Sequence, residues 1–447
     1  MPSAPRRLLI VSPHWPPVNA PDHQRARMSL PYYRANGWEP VVLAVRPDDV
    51  AATKEPELES TYPTDVRIVR CRALPLRWTR WLGLGNLGWR AWPSLFAAGT
   101  RLLRQERFDL VFFSNTQFLT FLLGAVWRPL TQTPFVIDIQ DPWRTDFYEK
   151  SGAAPPPGGR KYLLARLLAF LLEGPVFRRA AGFISVSDRY LEDLANRYRW
   201  FPDKPQATIG FGASTDDFTA ARKRAPGTQG FTRRPGEIHV VYTGIVGSVT
   251  PRALGVFFEA LRRYCESHPE AARRLRFHFV GTSYAATGAG AYSVLPAARA
   301  RGVGDLVTEI PHRLGHLESL SLMVEADALL LLGSTDPAYS PSKLYQYYLA
   351  GKPILGVVLH QSHLASLLAE LNCSLAAEFD CGLPDDSATA LIHRFLDLAL
   401  QGFPPAELPV RDEVRFRQDF LAEALTRRQC ELFDQVLAAE HAQKPDD

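Results

Sequence analysis

The stretch Tyr339-Ser-Pro-Ser-Lys-Leu-Tyr-Gln-Tyr-Tyr-Leu-Ala-Gly-Lys-Pro-Ile-Leu-Gly-Val, residues 339–357, predicts a helix between two strands. The helix should begin near Ser342 and end at Gly351, because glycine is favoured just after a helix. Free backbone N–H groups would then meet Ser342 and Lys343 at the helix N-terminus, an arrangement that suits a diphosphate. Taken alone, the stretch would favour a solvated Lys343 and a simple glycine cap.

Around this stretch, short apolar strands alternate with helical segments, which is the pattern of a parallel sheet covered by helices. Strands rich in Val, Ile, Leu and Phe are typical of sheets buried on both faces. The predicted strands of the first half are Leu8 to Val11, Val41 to Val45, Val66 to Arg70, Leu110 to Ser114, Phe135 to Ile139 and Gly182 to Val186. Those of the second half are His239 to Tyr242, Arg276 to Val280, Leu306 to Glu309, Ala328 to Leu332 and Pro353 to Val358.

The two strand series predict two domains, which the length of 447 residues also favours. The stretch from Thr215 to Gly236, rich in Arg, Gly, Pro and Thr, is predicted to be the linker. We expect an N-terminal domain over residues 1–213, a C-terminal domain over 237–410 and a final segment over 411–447. Apolar residues from Val414 to Leu437 recur at helical spacing and predict one long terminal helix.

Composition and charge argue against several classes of protein. The formal net charge is +4 with a pI near 8.7, so nucleic acid is not an expected partner. Five scattered cysteines without a CxxC pair argue against a disulfide framework or a structural zinc site and favour the reducing cytoplasm. Pro13 ends the first apolar segment before a signal-peptide core can form. We therefore expect a folded cytoplasmic protein that needs no metal.

The loop after the first strand is the first candidate site, because ligands of open parallel sheets bind outside the carboxyl ends of the strands. This loop, from Ser12 to Arg25, leads into a helix whose N-terminus can receive an anion. Its candidate side chains are Asn19, His23 and Arg25. A surface turn stiffened by prolines explains the same residues without a ligand.

A pair of acidic residues marks the second candidate loop. Asp138 and Asp141 follow a predicted buried strand and can orient sugar hydroxyls or a substrate amine through charge-assisted hydrogen bonds. Asp141 lies at the very end of the strand and is the stronger candidate. The alternative is a carboxylate that caps the next turn.

Two glycines mark the third candidate loop, residues 242–252. Gly244 and Gly247 allow backbone N–H groups to approach phosphate oxygens at a helix start, with Ser248 beside them. Arg252 can balance the phosphate charge. A tight turn would explain the two glycines equally well.

The order of these segments resembles glycosyltransferase family 4 and its relatives with the GT-B fold, over nearly the whole chain. The segments that carry the resemblance are Leu8 to Arg25, Asn36-Gly-Trp-Glu-Pro-Val-Val-Leu, Phe135 to Trp143, and Ser342 to Leu349 followed by Ala350-Gly-Lys-Pro. The resemblance implies an α/β protein with two Rossmann-like domains that face each other across a cleft. It also implies a C-terminal helix that crosses back to the N-terminal domain.

The sequence departs from the family pattern at several positions. The family signature has two glutamates eight positions apart, which correspond here to Ala338 and Gln346. Gln346 can still bond ribose hydroxyls, whereas Ala338 cannot replace a carboxylate. Asp336 is a candidate substitute from the same loop. The family's frequent histidine before the position of Asp141 is Gln140.

The resemblance implies transfer of a sugar, with retention of configuration, from a nucleoside diphosphate sugar to a glycan, a lipid-linked or a small-molecule acceptor, without a bound cofactor. The catalytic candidates are Asp141, Lys343 and Arg252, the two cations stabilising the departing diphosphate. The donor-binding candidates are Gly244, Gly247, Ser248, Asp336, Ser342, Lys343 and Gln346. Two alternatives stay open: a nucleotide-sugar epimerase or hydrolase of the same fold, and a non-catalytic binding protein.

A leucine-rich segment from Arg160 to Leu172 also predicts a helix. It carries Arg160, Lys161 and Arg166 beside its leucines. We expect the apolar stripe to pack on the domain core, and a peripheral membrane contact is the alternative.

Overall fold

The structure is a computed structural model, and it divides into two compact units. The N-terminal domain consists of residues 1–211 and 422–447, and the C-terminal domain of residues 212–421. The described residues are 5–79, 85–145, 160–224, 231–246, 250–283, 290–337, 339, 342–380 and 386–442.

A seven-stranded parallel sheet in the order β3-β2-β1-β4-β5-β6-β7 forms the centre of the N-terminal domain. Its strands are β1 Arg6–Val11, β2 Trp38–Val45, β3 Arg67–Cys71, β4 Leu110–Ser114, β5 Phe135–Ile139, β6 Gly182–Ser185 and β7 Gln206–Thr208. Its helices are α1 Gln24–Tyr33, α2 Leu76–Thr79, α3 Leu87–Gln105, α4 Phe121–Thr131, α5 Arg160–Arg179 and α6 Asp188–Arg197. The six predicted strands are present, and β7 was missed because its three residues contain no apolar run.

The C-terminal domain repeats this plan with a six-stranded parallel sheet in the order β10-β9-β8-β11-β12-β13. Its strands are β8 Ile238–Thr243, β9 Leu275–Val280, β10 Val307–Ile310, β11 Ala328–Leu332, β12 Ile354–Leu359 and β13 Leu375–Phe379. Its helices are α7 Thr215–Arg222, α8 Pro251–Ser267, α9 Pro269–Ala272, α10 Val294–Arg299, α11 His316–Glu325, α12 Lys343–Ala350, α13 His363–Leu371, α14 Asp386–Leu400 and α15 Glu413–Asp419. The prediction of two α/β domains with parallel sheets is therefore confirmed.

The strand order reverses between β1 and β4 in the first sheet and between β8 and β11 in the second. The loops that follow two such strands leave the sheet on opposite sides and open a crevice, where open α/β sheets bind their ligands. Three of the four loops singled out from the sequence, those after β1, β8 and β11, start at these two points. The fold therefore places these candidate loops where open α/β sheets commonly bind ligands, and their binding role stays a prediction.

The predicted linker, Thr215 to Gly236, begins instead with helix α7. The Ser214 hydroxyl caps this helix by accepting a hydrogen bond from the backbone N–H of Asp217. Asp217 also pairs with His316 of α11 at 2.8 Å, so α7 belongs to the C-terminal domain. The sequence pattern missed the helix because its eight residues carry few apolar side chains.

The single terminal helix predicted from Val414 to Leu437 is two helices. Helix α15 ends at Asp419, and its Phe416 ring stacks on Tyr348 of the C-terminal domain at 3.9 Å. Leu421 then forms a β-bridge with Ala213, which interrupts the helical hydrogen bonds. The last helix, α16 Ala422–Ala442, packs in the N-terminal domain.

The leucines of α5 lie outside the core, contrary to the expected packing. Helix α5 buries Ala169, Val176 and Phe177, whereas a second apolar face stays open. The exposed residues are Leu163 (60%), Leu164 (52%), Leu167 (52%), Phe170 (58%) and Leu171 (54%). Periodicity alone could not show which apolar face the domain covers. None of the described helices is long and apolar enough to span a bilayer.

Candidate functional site

Lys343 is the first residue of α12 and lies beside the end of strand β8. Its Nζ donates a hydrogen bond to the Tyr242 hydroxyl at 2.8 Å and lies 4.1 Å from the centre of the Tyr242 ring. Both contacts are with a neutral group, and the described residues provide no carboxylate for this ammonium. Burial lowers the pKa of Lys343 to about 7. Within the part of the chain that the structure describes, this cation therefore has no anionic partner.

The loop after β8 is shaped to bring its backbone close to Lys343. Gly244 has φ +111°, a conformation that residues with a side chain rarely adopt. A Cβ atom at Gly244 would lie 2.9 Å from the Lys343 Nζ. A second contact joins α12 to β8, because the Tyr347 hydroxyl accepts a hydrogen bond from the backbone N–H of Thr243 at 2.9 Å. Strand β8 and helix α12 are thus held together around the ammonium.

Arg252 provides a second cation close to a helix start. It is the second residue of α8, and its Nε and Nη2 atoms are buried without a hydrogen-bond partner among the described residues. A buried guanidinium usually has acceptors, because leaving its donors unpaired costs free energy. Arg252 is therefore suited to an anionic ligand.

The other donor-side candidates have different surroundings. Ser342 is the N-cap residue of α12 and is exposed, and Gln346 lies one turn into that helix, partly buried. Asp336 is exposed, and its backbone N–H donates to the Ser334 hydroxyl at 3.0 Å. Gly247, Ser248 and Ala338 lie outside the described residues.

Arg25 is part of a buried polar network in the N-terminal domain. Its Nε donates to Asp138 at 2.9 Å, and its Nη2 donates to the carbonyl of Ile209 at 2.6 Å. Asp138 also accepts hydrogen bonds from Ser114 and from Gln140, each at 2.9 Å. Arg25 is only 3% exposed, so the network occupies its guanidinium and ties α1 to the sheet.

Asn19 and His23 are also buried, at 8% and 0% exposure. The Nε2 atom of His23 lies 2.8 Å from the carbonyl of Val18, and burial and the Arg27 charge lower the pKa of His23 to about 3. His23 is thus a neutral donor that fixes the loop. The backbone N–H of Asn19 donates to the carbonyl of Thr53 at 2.8 Å, so all three N-terminal loop candidates form hydrogen bonds within the protein.

The same loop contains a histidine–aspartate pair, His14 and Asp22, which sequence analysis did not identify. His14 Nδ1 lies 2.8 Å from one carboxylate oxygen of Asp22 and 3.0 Å from the other. The Asp22 carboxylate also accepts a hydrogen bond from Thr116 at 3.3 Å, and its backbone carbonyl accepts one from Gln140 at 3.0 Å. Burial acts to raise the pKa of Asp22, but the hydrogen bonds and charges of its neighbours, His14 foremost, together lower the pKa below its usual value.

Asp141 lies at the same edge of the sheet, two residues after β5. It is exposed, and the pKa of its carboxyl is raised by partial desolvation and by the nearby charge of Asp22. The loops after β1 and β5 thus bring His14, Asp22 and Asp141 to one edge. Hydroxyl groups of a sugar are natural partners for such side chains.

Residues 23–212 match the glycosyl transferase 4-like domain family. No curated protein has a significantly similar sequence. Three solved structures share the overall fold. The first is an alpha,alpha-trehalose 6-phosphate synthase from Burkholderia multivorans, with 14% identity, 99% of both chains covered and a TM-score of 0.53. The second is a UDP-forming alpha,alpha-trehalose-phosphate synthase from Burkholderia xenovorans in complex with glucose-6-phosphate, with 12% identity, 97% of this chain and 100% of that chain covered and a TM-score of 0.53. The third is the N-terminal domain of trehalose-6-phosphate phosphatase from Candida albicans, with 12% identity, 96% of both chains covered and a TM-score of 0.52. At these identities the likeness shows the fold, which is GT-B.

Proposed function

Because residues 23–212 match the glycosyl transferase 4-like domain family, we propose that the chain transfers a sugar from a nucleoside diphosphate sugar to a glycan, a lipid-linked or a small-molecule acceptor. The observation that carries this proposal is Lys343, an ammonium at a helix N-terminus whose only partner among the described residues is a tyrosine. The helix dipole disfavours a cation there unless an anion is also present. A diphosphate provides that anion.

The donor would lie at the carboxyl edge of the C-terminal sheet. Lys343 and the backbone N–H groups of the β8 and α12 loops would contact the phosphates, with Arg252 as a second cation. Gln346, one helical turn further, would hydrogen-bond ribose hydroxyls. As the bond between the sugar and the diphosphate breaks, the two cations would stabilise the charge that develops on the leaving group.

The expected result of a thermal-shift screen is stabilisation by one nucleoside diphosphate and by its sugar derivatives. A ligand at a hundred times its dissociation constant stabilises the folded form by about 2.7 kcal/mol. The matching nucleoside without phosphates should give little shift, because the proposed contacts are with phosphates. A flat response to every nucleotide would contradict the donor site and favour a non-catalytic role.

We also propose that the transferred sugar retains its anomeric configuration, because the family resemblance implies it. NMR of the product distinguishes retention from inversion, because the coupling constant of the anomeric proton reports the configuration of the new bond. The same assay without acceptor separates transfer from the alternative reactions. A free sugar or an epimerised donor as the main product would indicate a hydrolase or an epimerase of this fold.

A peripheral contact with an anionic membrane is the further partner that we propose, and helix α5 supports it. Because a helix turns by about 100° per residue, the five exposed apolar residues from Leu163 to Leu171 lie on one face of α5. Arg166 borders this face, and Arg178 lies further along it. The one acidic residue of α5, Glu173, is buried against Arg197 and Tyr198. An apolar face bordered by cations fits a surface of anionic lipids. We also propose a cytoplasmic location. The four described cysteines are free thiols, which is typical of proteins in a reducing compartment.

The double variant Leu163→Glu/Leu167→Glu should lose most binding to vesicles that contain anionic lipid, since both side chains would be buried in the bilayer interface. We expect the bound fraction in a sedimentation assay to fall at least about tenfold. Val414→Glu, at an exposed apolar position of α15, is the matched control and should bind normally. Equal binding by all three proteins, or concentration-dependent dimerisation through α5 without vesicle binding, would contradict the membrane contact.

A further inference from the structure

The His14 side chain is held by a buried carboxylate and keeps one ring nitrogen available. Its Nδ1 is bonded to Asp22, which is 2% exposed at its side chain, whereas His14 itself is 17% exposed. An ionised carboxylate accepts hydrogen bonds only, so Nδ1 carries the proton of the neutral ring. Nε2 then carries the lone pair, and no described residue forms a hydrogen bond with it.

Asp22 is itself fixed from two sides. Thr116, in the loop after β4, donates to its carboxylate, and Gln140, in the loop after β5, donates to its backbone carbonyl. Gln140 also contacts Asp138 and Ser114, which connects the pair to the buried network around Arg25. The imidazole orientation is therefore set by the sheet and not by the loop alone.

The location of the pair adds to its geometry. His14 follows β1 and Thr116 follows β4, so both belong to loops that leave the sheet where its strand order reverses. Asp141 lies close enough for the charge of Asp22 to raise the pKa of its carboxyl. A base oriented by a carboxylate, in the crevice where ligands bind, is the arrangement that proton-transfer catalysis requires.

We propose that His14 accepts the proton of the acceptor hydroxyl during sugar transfer and that Asp22 is its positioning residue; this rests on the proposed function. As the acceptor oxygen forms its bond to the anomeric carbon, the bond from that carbon to the diphosphate breaks. The hydroxyl proton passes to Nε2 of His14, and the diphosphate departs with the bonding electron pair. Asp22 stabilises the resulting imidazolium through Nδ1–H. The hydroxyl must lose this proton whichever anomer is formed.

The groups that face this imidazole determine the pH behaviour. Asp22 is bonded to it, the charge of Asp22 also acts on Asp141 of the β5 loop, and His23 interacts with both members of the pair. A protonated ring has no lone pair on Nε2 and cannot accept the proton of the acceptor hydroxyl. The transfer rate of the wild-type protein should therefore fall toward acid pH.

The test compares His14→Gln, Asp22→Asn and the wild type for release of nucleoside diphosphate. Donors are a panel of nucleoside diphosphate sugars, and acceptors are octyl glycosides, sugar phosphates and polyprenyl phosphate. We expect His14→Gln to lower kcat by about 10²- to 10⁴-fold and to abolish the acid limb of the rate profile. Nucleotide affinity should be unchanged, because the donor contacts are in the C-terminal domain. Asp22→Asn should also lower kcat, since an amide can hold the wrong tautomer.

Two further variants separate a chemical role from a structural one. His14→Ala with added imidazole should regain part of its rate, a response that a merely structural histidine would not give. His316→Gln is the matched control, because His316 also contacts a buried aspartate at 2.8 Å with similar exposure. Full activity and an intact acid limb in His14→Gln would overturn the role of His14. An inactive wild type across the whole panel would instead overturn the proposed function.

Discussion

Replacing Lys343 with alanine is expected to lower the affinity for the nucleotide-sugar donor by about ten- to a hundredfold. A charged hydrogen bond contributes about 1.5 to 3 kcal/mol, which corresponds to that range. The effect should be large because Lys343 is partly buried and has no carboxylate partner among the described residues, so its charge is available to the ligand. Titration calorimetry with the nucleotide sugar found in the screen measures the change directly.

The same residue should make donor binding depend on pH. The pKa of free Lys343 is lowered to about 7, so the side chain is mostly charged at pH 6 and mostly neutral at pH 9. A diphosphate favours the charged form, and binding above pH 7 must therefore take up a proton. We expect affinity to fall by up to about tenfold per pH unit above 7, until the pKa of the bound state is reached. Lys343→Met should remove this dependence.

Matched variants identify the cause of any loss. Lys352→Ala removes the same charge two residues after the other end of α12 and should leave donor affinity unchanged. Gln346→Ala should have a smaller effect than Lys343→Ala, because it removes only neutral hydrogen bonds. A folded Lys343→Ala protein with wild-type affinity at every pH would contradict the assigned phosphate site.

Helices and strands could be predicted from the sequence where their own residues form a clear apolar pattern. Strand β11, Ala328–Leu332, is a continuous apolar run and was predicted to the residue. Strand β13, Leu375–Phe379, was missed, because Ala and Glu weaken its pattern. The break between α15 and α16 was missed for a different reason. Apolar spacing continues across it, and the interruption depends on a bridge to Ala213, about 200 residues earlier.

The candidate donor site and the histidine–aspartate pair also differ in how far the sequence predicts them. Lys343 and Gly244 were predicted to belong to one site, since a helix start and a glycine after a strand are both visible in sequence, and their phosphate-binding role stays a prediction. For Tyr242, the partner of Lys343, the sequence pattern predicts only a place at the end of a strand. The pair of His14 and Asp22 was not predicted, because it forms only when a 3₁₀ turn, Pro21–His23, brings residue 22 back toward residue 14.

Replacing Phe433 with alanine is expected to destabilise the N-terminal domain by about 3 to 5 kcal/mol. Phe433 belongs to α16 and is fully buried. Its ring lies 5.0 Å from that of Phe112 on β4 and 5.4 Å from that of Trp38 on β2. Both neighbours are rigid parts of the sheet, so the cavity left by the ring cannot collapse easily. Thermal unfolding should show a Tm lower by roughly 10 °C.

Gln435→Ala is the matched control, because Gln435 is exposed on the same helix two residues away. Its effect on the free energy of unfolding should stay within about 0.5 kcal/mol, as is usual for exposed positions. If both variants melt like the wild type, α16 does not stabilise the domain. If only Phe433→Ala is destabilised, the last helix completes the core of a sheet whose first strand begins at Arg6. The N-terminal domain, with His14 at its edge, would then become stable only once the chain has been synthesised to its last helix.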